Sequence, residues 1–477
     1  MRKARILSVL AASLLLSGCM SLAPDYQRPD NPVPAQWRNQ SSVTDGANAA
    51  KGKAQPLSTI SWQSFFQDER LRKVIALALE NNRDLRVSVL NIEKARAQYR
   101  VQRSESLPTI SASGSQTVSR SSAATSMTGT SEVGRQYSAA IGFSSYELDL
   151  FGRIRSLNDQ ALETFFATEE TRRSAQLSLI AEVAGDWLTL ANDRQLLKLA
   201  NDTLASQQRT LALSEARHKE GAISGLDLAQ IRMSVESARA DAAKQKSQIE
   251  QDRNALELLV GTTVPDNLLP DGSVSGAIPL AQIPGNLSST VLLDRPDVLS
   301  AEHTLRAANA EIGAARAAFF PTISLTVSGG QSSDQLSTLF NGVNRTWSFV
   351  PSISIPIFSA GNLSASLKVT ETEKNIAVAD YEKTIQTAFK EVADAFAIRA
   401  TMKEQMDAQN ALVNAGSSAY RLARARYQSG MDGYLDALDA QRTLYSAQQT
   451  QLNLQLSDLM NRVTIYKVLG GGLNASR

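Results

Sequence analysis

The chain has 477 residues, of which 20% are charged and 6% are aromatic, and its formal net charge is +2. A charge this close to zero argues against nucleic acid as a partner, because binding nucleic acid needs a clustered basic face. The single cysteine excludes an internal disulfide and any metal site built from cysteines.

Residues 1–18 have the pattern of a secretory signal peptide. A basic start is followed by an apolar stretch that is too short to span a bilayer. The stretch ends in Leu-Ser-Gly-Cys, which resembles a bacterial lipobox and predicts that Cys19 becomes the lipidated first residue of the mature chain. The alternative is an ordinary signal peptide with an incidental cysteine. Met20 follows Cys19, and this favours delivery to the outer membrane by resemblance to bacterial lipoproteins.

Residues 19–60 are polar and contain several prolines. This composition predicts an extended leader rather than a packed domain. Two helices are expected after it, a short one near 69–80 and a second over 84–105, which Pro108 ends.

Two strands and a long helical hairpin follow. Residues 109–119 are rich in small polar side chains, and residues 137–147 alternate apolar with small side chains, which predicts two strands joined by an exposed loop. The runs 153–218 and 226–258 contain no proline and are rich in strong helix formers. At 1.5 Å per residue these helices would be about 100 and 50 Å long. Gly221 marks the turn between them.

The second half of the chain repeats this pattern. An offset of 209 residues carries Gly221 onto Gly430 and Gly261 onto Gly470. The duplication assigns residues 61–261 to a first structural repeat and 293–470 to a second. A proline-containing interruption, 262–292, separates the repeats, and a tail, 471–477, follows them. The elements expected in the second repeat are strands 322–331 and 345–357 and helices 362–427 and 435–465.

The strands predict an assembly of several copies. Each is about eleven residues long, and the clearest ones have one apolar face, which matches a strand of a transmembrane β-barrel. The alternative is a soluble hairpin packed on its helices. A membrane strand cannot leave an open edge, so the sheet must close with copies of itself. Two copies would give a filled interior, whereas three copies give twelve strands, as a channel needs.

No catalytic or metal-binding motif is present in the sequence. It lacks HExxH, a P-loop, a Gly-x-Gly-x-x-Gly after a strand and a Gly-x-Ser-x-Gly elbow. The only two histidines, His218 and His303, are far apart in sequence. We therefore expect no enzyme activity, no cofactor and no metal ion, and the energy for any transport must come from a partner.

Several segments resemble the OprM-like outer-membrane efflux lipoproteins of the TolC superfamily. They are LSGC, APDYQRP, ENNRDLRVSVLNIEKARAQYRVQR, YELDLFGRIRS, RPDVLSAEHTLRAANAEIGAARAAFFPTISL and YKVLGGG. The resemblance covers nearly the whole mature chain. It implies a mainly α fold with a membrane β-barrel, in which a homotrimer forms a twelve-stranded barrel continuous with a twelve-helix periplasmic α-barrel.

The same resemblance implies a function. The trimer would be the outer-membrane exit duct of a tripartite multidrug efflux pump, a passive conduit gated at its periplasmic tip. Its partners would be a periplasmic adaptor, an inner-membrane transporter of the resistance–nodulation–division (RND) class and outer-membrane lipid. One alternative is a duct for type I protein secretion, which has the same fold but usually lacks a lipobox. Another is a coiled-coil lipoprotein scaffold without conductance.

One helix face is a candidate gate. Leu435, Asp439 and Arg442 are spaced i, i+4 and i+7, so they share a face just after the second turn. In similar channels the matching positions form a leucine ring and an aspartate ring that close the tunnel, with a basic residue as a tether. The resemblance makes Asp193 and Asp252 the candidate partners of Arg442. The matching positions of the first repeat are neutral: Leu226, Gln230 and Met233.

The two glycine-marked turns are predicted to be the adaptor-docking surface, because they lie farthest from the strands. Glycine allows backbone shapes and close approaches that other residues resist. The alternative is that these turns only close the helical hairpins. The candidate docking residues are Gly221, Ser224, Gly225, Gly430 and Gly433.

Overall fold

The computed structural model describes residues 21–38, 59–124, 126, 129–272, 278 and 287–472. The signal peptide and Cys19 lie outside these ranges, as do residues 39–58 of the leader and parts of the interruption and of the tail. Within the described ranges, no helix combines the length and the apolar character that crossing a membrane requires.

The first repeat contains five helices and two strands among its described residues. They are α1 (Trp62–Phe65), α2 (Glu69–Asn81), α3 (Arg83–Ser104), β1 (Ser111–Arg120), β2 (Val133–Glu147), α4 (Arg153–Lys219) and α5 (Gly225–Val260). Polar caps set the starts of α2 and α3. Asp68 accepts a hydrogen bond from the backbone N–H of Arg70 at 2.8 Å, and Asn82 accepts one from Leu85 at 2.7 Å.

The second repeat has the same order of strands and long helices. Its elements are α6 (Pro296–Ala317), β3 (Thr322–Ser333), β4 (Arg345–Ser354), α7 (Asn362–Gln428) and α8 (Tyr434–Val468). Helices α7 and α8 start 209 residues after α4 and α5, which is the offset found in the sequence. The fold is therefore mainly helical and internally duplicated.

The strands differ from the predicted ranges by three or more residues at two ends. β2 begins at Val133 rather than 137, because its backbone pairs with β1 as far as Arg120 although the side-chain alternation has already ended. β4 ends at Ser354 rather than 357, because Ser354 pairs with Thr322, the first residue of β3, and β3 does not continue beyond it.

The strands form one antiparallel sheet in the order β1-β2-β3-β4, so β1 and β4 are its edges within the chain. A bulge between Phe143 and Tyr146 interrupts the pairing of β2 with β3, and Ser145 there has a φ of 54°. Large apolar side chains are exposed on the sheet, and Trp347 on β4 is 82% exposed. In a single chain these side chains have no cover.

The chain divides into two compact units. The first comprises residues 21–30, 91–169 and 300–381 among those described, and it contains the sheet. Here the leader is bonded to α6 through the buried Glu302. Its carboxylate accepts hydrogen bonds from Tyr26 at 3.2 Å, Arg28 at 2.7 Å and Arg306 at 2.7 Å. Burial alone would raise the pKa of Glu302, but the bonds from the two arginines outweigh it and lower that pKa.

The second unit contains the described parts of residues 31–90, 170–299 and 382–477. Its core includes Trp187, whose indole N–H donates to the carbonyl of Leu268 at 3.0 Å. The rings of Phe65 and Tyr466 stack with centroids 4.1 Å apart. Both turns between long and short helices belong to this unit.

Candidate functional site

The turns after α4 and α7 have the same backbone shape. The N–H of Ala222 donates to the carbonyl of Arg217 at 2.8 Å, and in the second repeat Met431 donates to Arg426 at 2.9 Å. Such bonds close a helix end through a left-handed glycine. Gly221 and Gly430 supply it, with φ of 74° and 75°. A side chain at either glycine would meet no atom within 4 Å, so only the backbone conformation requires glycine there.

The two turns differ in how the following helix begins. Ser224 and Asp227 cap α5 reciprocally, with the Asp227 N–H donating to the Ser224 hydroxyl at 3.1 Å. Gly433 precedes α8 and offers no side-chain cap. There, the guanidinium of Arg426 pairs with the carboxylate of Asp432 instead. The first turn is therefore held by a helix cap and the second by an exposed ion pair.

A buried cluster of apolar side chains from three helices lies beside the turns. Its members are Ile231 of α5, Tyr427 of α7 and Tyr434, Ala437 and Leu438 of α8, with Leu211 of α4 packed against it. The rings of Tyr427 and Tyr434 meet edge to face with centroids 5.3 Å apart.

Polar bonds fix the rotation of α8 against α4. The hydroxyl of Tyr434 donates to the side-chain oxygen of Gln207 at 3.1 Å. The Gln207 amide donates in turn to Gln441 at 2.8 Å. Burial raises the pKa of Tyr434 to about 12, although Ser234 and Arg442 act in the opposite direction. The tyrosine is therefore neutral throughout the physiological range.

The candidate gate residues lie on the flank of α8, beside its buried face. At about 100° per residue, Leu435, Asp439 and Arg442 lie within about 60° of one another and roughly a quarter turn away from the line of Tyr434 and Leu438, which face the bundle. Leu435 is 60% exposed, and Asp439 and Arg442 are exposed as well. Among the described residues, neither charged side chain has an ion pair within the chain. The equivalents in the first repeat, Leu226 and Met233, are also exposed.

The structure does not bring Arg442 to Asp193 or Asp252, so the predicted tether is wrong within one chain. At 1.5 Å per residue, Asp252 is about 40 Å along α5 from the turn, whereas Arg442 is about 12 Å along α8. Asp193 is about as far from the turn as Asp252. The two aspartates are neighbours of each other instead, and Asp252 adds to the effect of burial in raising the pKa of Asp193.

Arg442 instead lines a small cavity with residues of α4 and α5, and Asp241 is its one acidic member. Sequence reasoning missed Asp241. Counting helix rise from the two turns would have excluded the distant aspartates and pointed to the stretch of α5 that includes it. The other residues of this cavity are Thr203, Gln207, Ser234, Ser237, Ala238, Leu438, Gln441 and Tyr445.

The class of protein can be recognised from three features of the fold: two helical hairpins, an antiparallel four-stranded sheet and an internal duplication. The model of the outer membrane efflux protein family matches residues 74–262 and 287–471, and the chain belongs to this family. The chain is thus an outer-membrane efflux protein, which confirms the recognition, location and general function inferred from its motifs. The family consists of transport conduits.

Known relatives are similar to this chain in sequence or structure over nearly its full length. The probable efflux pump outer membrane protein TtgC of Pseudomonas putida is 46% identical over 467 residues, which is 98% of this chain and 95% of the relative. Outer membrane protein OprJ of Pseudomonas aeruginosa is 41% identical over 470 residues, covering 98% and 96%. The open-state structure of the Neisseria gonorrhoeae channel MtrE superposes with a TM-score of 0.84 at 37% identity, covering 96% of this chain and 99% of that one.

Proposed function

We propose that this chain is the exit duct of a tripartite RND multidrug efflux pump and works as a homotrimer. The sheet supports trimer formation, because β1 and β4 are edges with unused backbone donors and acceptors. Edge-to-edge pairing of three copies would satisfy them, as a membrane requires. The reported relatives are named as efflux components or outer-membrane channels, which supports efflux over the protein-secretion duct.

The gate proposal rests on one observation. Leu435, Asp439 and Arg442 form an exposed face that makes no ion pair among the described residues, and the adjacent face of α8 is fixed by the buried Tyr434 and Leu438. We propose that three such faces meet around the pore axis, with leucines and aspartates forming successive rings. A neighbouring copy would then supply the ion-pair partner of Arg442. We expect that copy to contact this chain at the cavity lined by Arg442 and Asp241.

Asp439→Asn is expected to weaken the preference of the channel for cations. Three carboxylates around one narrow pore attract cations and repel anions, and the amide removes that field. The measurement is the reversal potential in a salt gradient across a planar bilayer. Asp202→Asn, an exposed carboxylate on α4, is the matched control and should leave the reversal potential unchanged. Equal selectivity of Asp439→Asn and wild type would remove Asp439 from the narrowest part of the pore.

The first described residues of the leader support lipidation at Cys19 as an auxiliary anchor. Leu22 accepts a hydrogen bond from Arg316 at 3.2 Å, and Pro24 accepts one from Asn309 at 2.7 Å. These bonds hold the chain against α6 only a few residues after Cys19. Intact-mass spectrometry of membrane-extracted protein is expected to show acyl chains on a chain that starts at residue 19. An unmodified mass would contradict lipidation and leave the channel proposal untouched.

A further inference from the structure

The buried carboxyls of Asp193 and Asp252 are the strongest unexplained feature of the chain. Asp193 lies on α4 and Asp252 on α5, and each is only 9% exposed. Both lie about 40 Å along their helices from the turn that joins them, so the antiparallel hairpin places them at the same height. Asp252 is close enough to Asp193 to raise its pKa, in addition to the effect of burial. Two facing carboxylates cannot bond, because both groups only accept. A single shared proton turns this repulsive contact into a hydrogen bond.

The hydrogen bonds around the pair leave room for that proton. The amide of Gln248 donates to Oδ1 of Asp252 at 2.9 Å, and the amide of Asn192 donates to Oδ1 of Asp193 at 3.4 Å. Oδ2 of Asp252 is buried and has no hydrogen-bond partner. A buried carboxylate oxygen without a hydrogen bond destabilises the folded state unless a proton or a cation binds to it.

No positive charge within the described part of the chain compensates the pair. Arg194 follows Asp193 but donates to the carbonyl of Pro270, and Arg253 follows Asp252 but pairs with Glu257 and Asp266. The other ionisable groups facing the pair are acidic as well. Asp186 and Glu182 lie on the same side of α4, and Asp252 and Glu182 raise the pKa of Asp186 in addition to its burial. From α8 the neighbour is the neutral Asn453, bonded to Asn192 at 3.1 Å.

The internal duplication supplies a built-in comparison. The offset of 209 residues places Met402 at the position of Asp193 and Asn461 at the position of Asp252. Both are buried, and the Asn461 amide donates to the carbonyl of Ala395 at 3.0 Å. The second repeat therefore packs the same two helix positions without an ionisable group. The acidic pair is a property of the first repeat alone and is not required by the hairpin fold.

We propose that Asp193 and Asp252 form a proton-controlled joint between α4 and α5, tight when one proton is shared and loosened when that proton leaves. Burial, followed by the contact with Asp252, raises the pKa of Asp193 to about 6. The joint would thus change state between mildly acidic and neutral periplasmic pH. The α4–α5 hairpin would respond to pH, whereas its α7–α8 counterpart would not.

The sign of the effect follows from linkage. Because the folded chain holds the proton more tightly than the unfolded chain, the stability contributed by the pair falls as pH rises through about 6. Asp252→Asn copies the residue found in the second repeat and keeps an amide donor for Asp193. We expect wild type and variant to have similar protection at pH 5 and the variant to be better protected at pH 7.5.

The test is hydrogen–deuterium exchange of the purified full-length protein at pH 5 and 7.5, with peptides around Asp193 and Asp252 as the readout. Peptides around Met402 and Asn461 serve as the internal control, and Asp202→Asn as the control for charge removal. The expected result is several-fold faster exchange of wild type than of Asp252→Asn at pH 7.5, confined to the first repeat. Asp193→Asn should behave in the same way.

An infrared pH titration gives a second readout that does not depend on stability. A protonated carboxyl band should titrate near pH 6 in wild type and in Asp202→Asn, and be lost in both pair variants. Absence of such a band, or equal protection of wild type and Asp252→Asn at pH 7.5, would overturn the proposal. So would protection at pH 7.5 that appears on adding Ca²⁺ and disappears with a chelator, because a cation would then replace the proton.

Discussion

Replacing both Leu435 and Arg442 with alanine is expected to raise the resting conductance of the channel several-fold. Leu435 would lose the side chain that narrows the pore, and Arg442 would lose the guanidinium that holds neighbouring helices against the repulsion of the aspartates. Both residues are exposed in the single chain, so the substitutions should change its stability by no more than about 0.5 kcal/mol each. Single-channel recording in planar bilayers is the measurement.

The first repeat provides the matched control for this experiment. Leu226→Ala with Met233→Ala removes two exposed apolar side chains at the equivalent positions of α5. That variant should conduct like wild type if the gate belongs to α8. Cells carrying the Leu435 and Arg442 variant should also admit large antibiotics when the pump is inactive. Unchanged conductance of this variant would place the constriction on another face.

Substituting valine for Gly221 or Gly430 is expected to abolish efflux while the protein still assembles. Both glycines have left-handed backbone conformations, which cost other residues about 1–2 kcal/mol and β-branched residues more. The turn would move to relieve this strain, and the proposed adaptor-docking surface would move with it. Antibiotic susceptibility measures efflux, and native mass measures assembly.

Substitutions at the neighbouring glycines test whether efflux is lost because the turn changes shape or because a side chain has been added. Gly225 and Gly433 have no left-handed φ, and a Cβ at either would meet no atom closer than 4.0 Å. Gly225→Ala and Gly433→Ala add bulk to the proposed docking surface without straining the turn, so they should lose less efflux than the valine variants. If pumps with valine at both Gly221 and Gly430 still export drugs, the adaptor docks elsewhere.

Local signals were sufficient to predict the helices. Proline-free runs of strong helix formers, bounded by glycine, placed both ends of α4 and α7 within one residue of those observed. The strand ends were harder to predict, because backbone pairing continues where side-chain alternation stops. Thus β2 extends to Val133 to match β1, while β4 stops at Ser354, opposite the first residue of β3.

The candidate site was predicted in part. The spacing of Leu435, Asp439 and Arg442 indicated a common face, and the structure exposes that face. The spacing alone does not indicate which helix lies beside that face, or how far along that helix the contact falls. Asp193 and Asp252 were therefore predicted as partners of Arg442, which they do not contact within one chain. Sequence motifs also could not indicate that those two carboxyls face each other, because their contact depends on the packing of two helices whose residues are far apart in the chain.

The most direct test of the proposed function is single-channel recording of the purified wild-type protein, combined with its native mass from the same sample. We predict a mass three times that of the mature lipidated chain and a small, cation-preferring resting conductance. This result would agree with a trimeric duct that is nearly closed at its periplasmic end. A monomer or dimer that does not conduct would contradict the account and favour the coiled-coil scaffold.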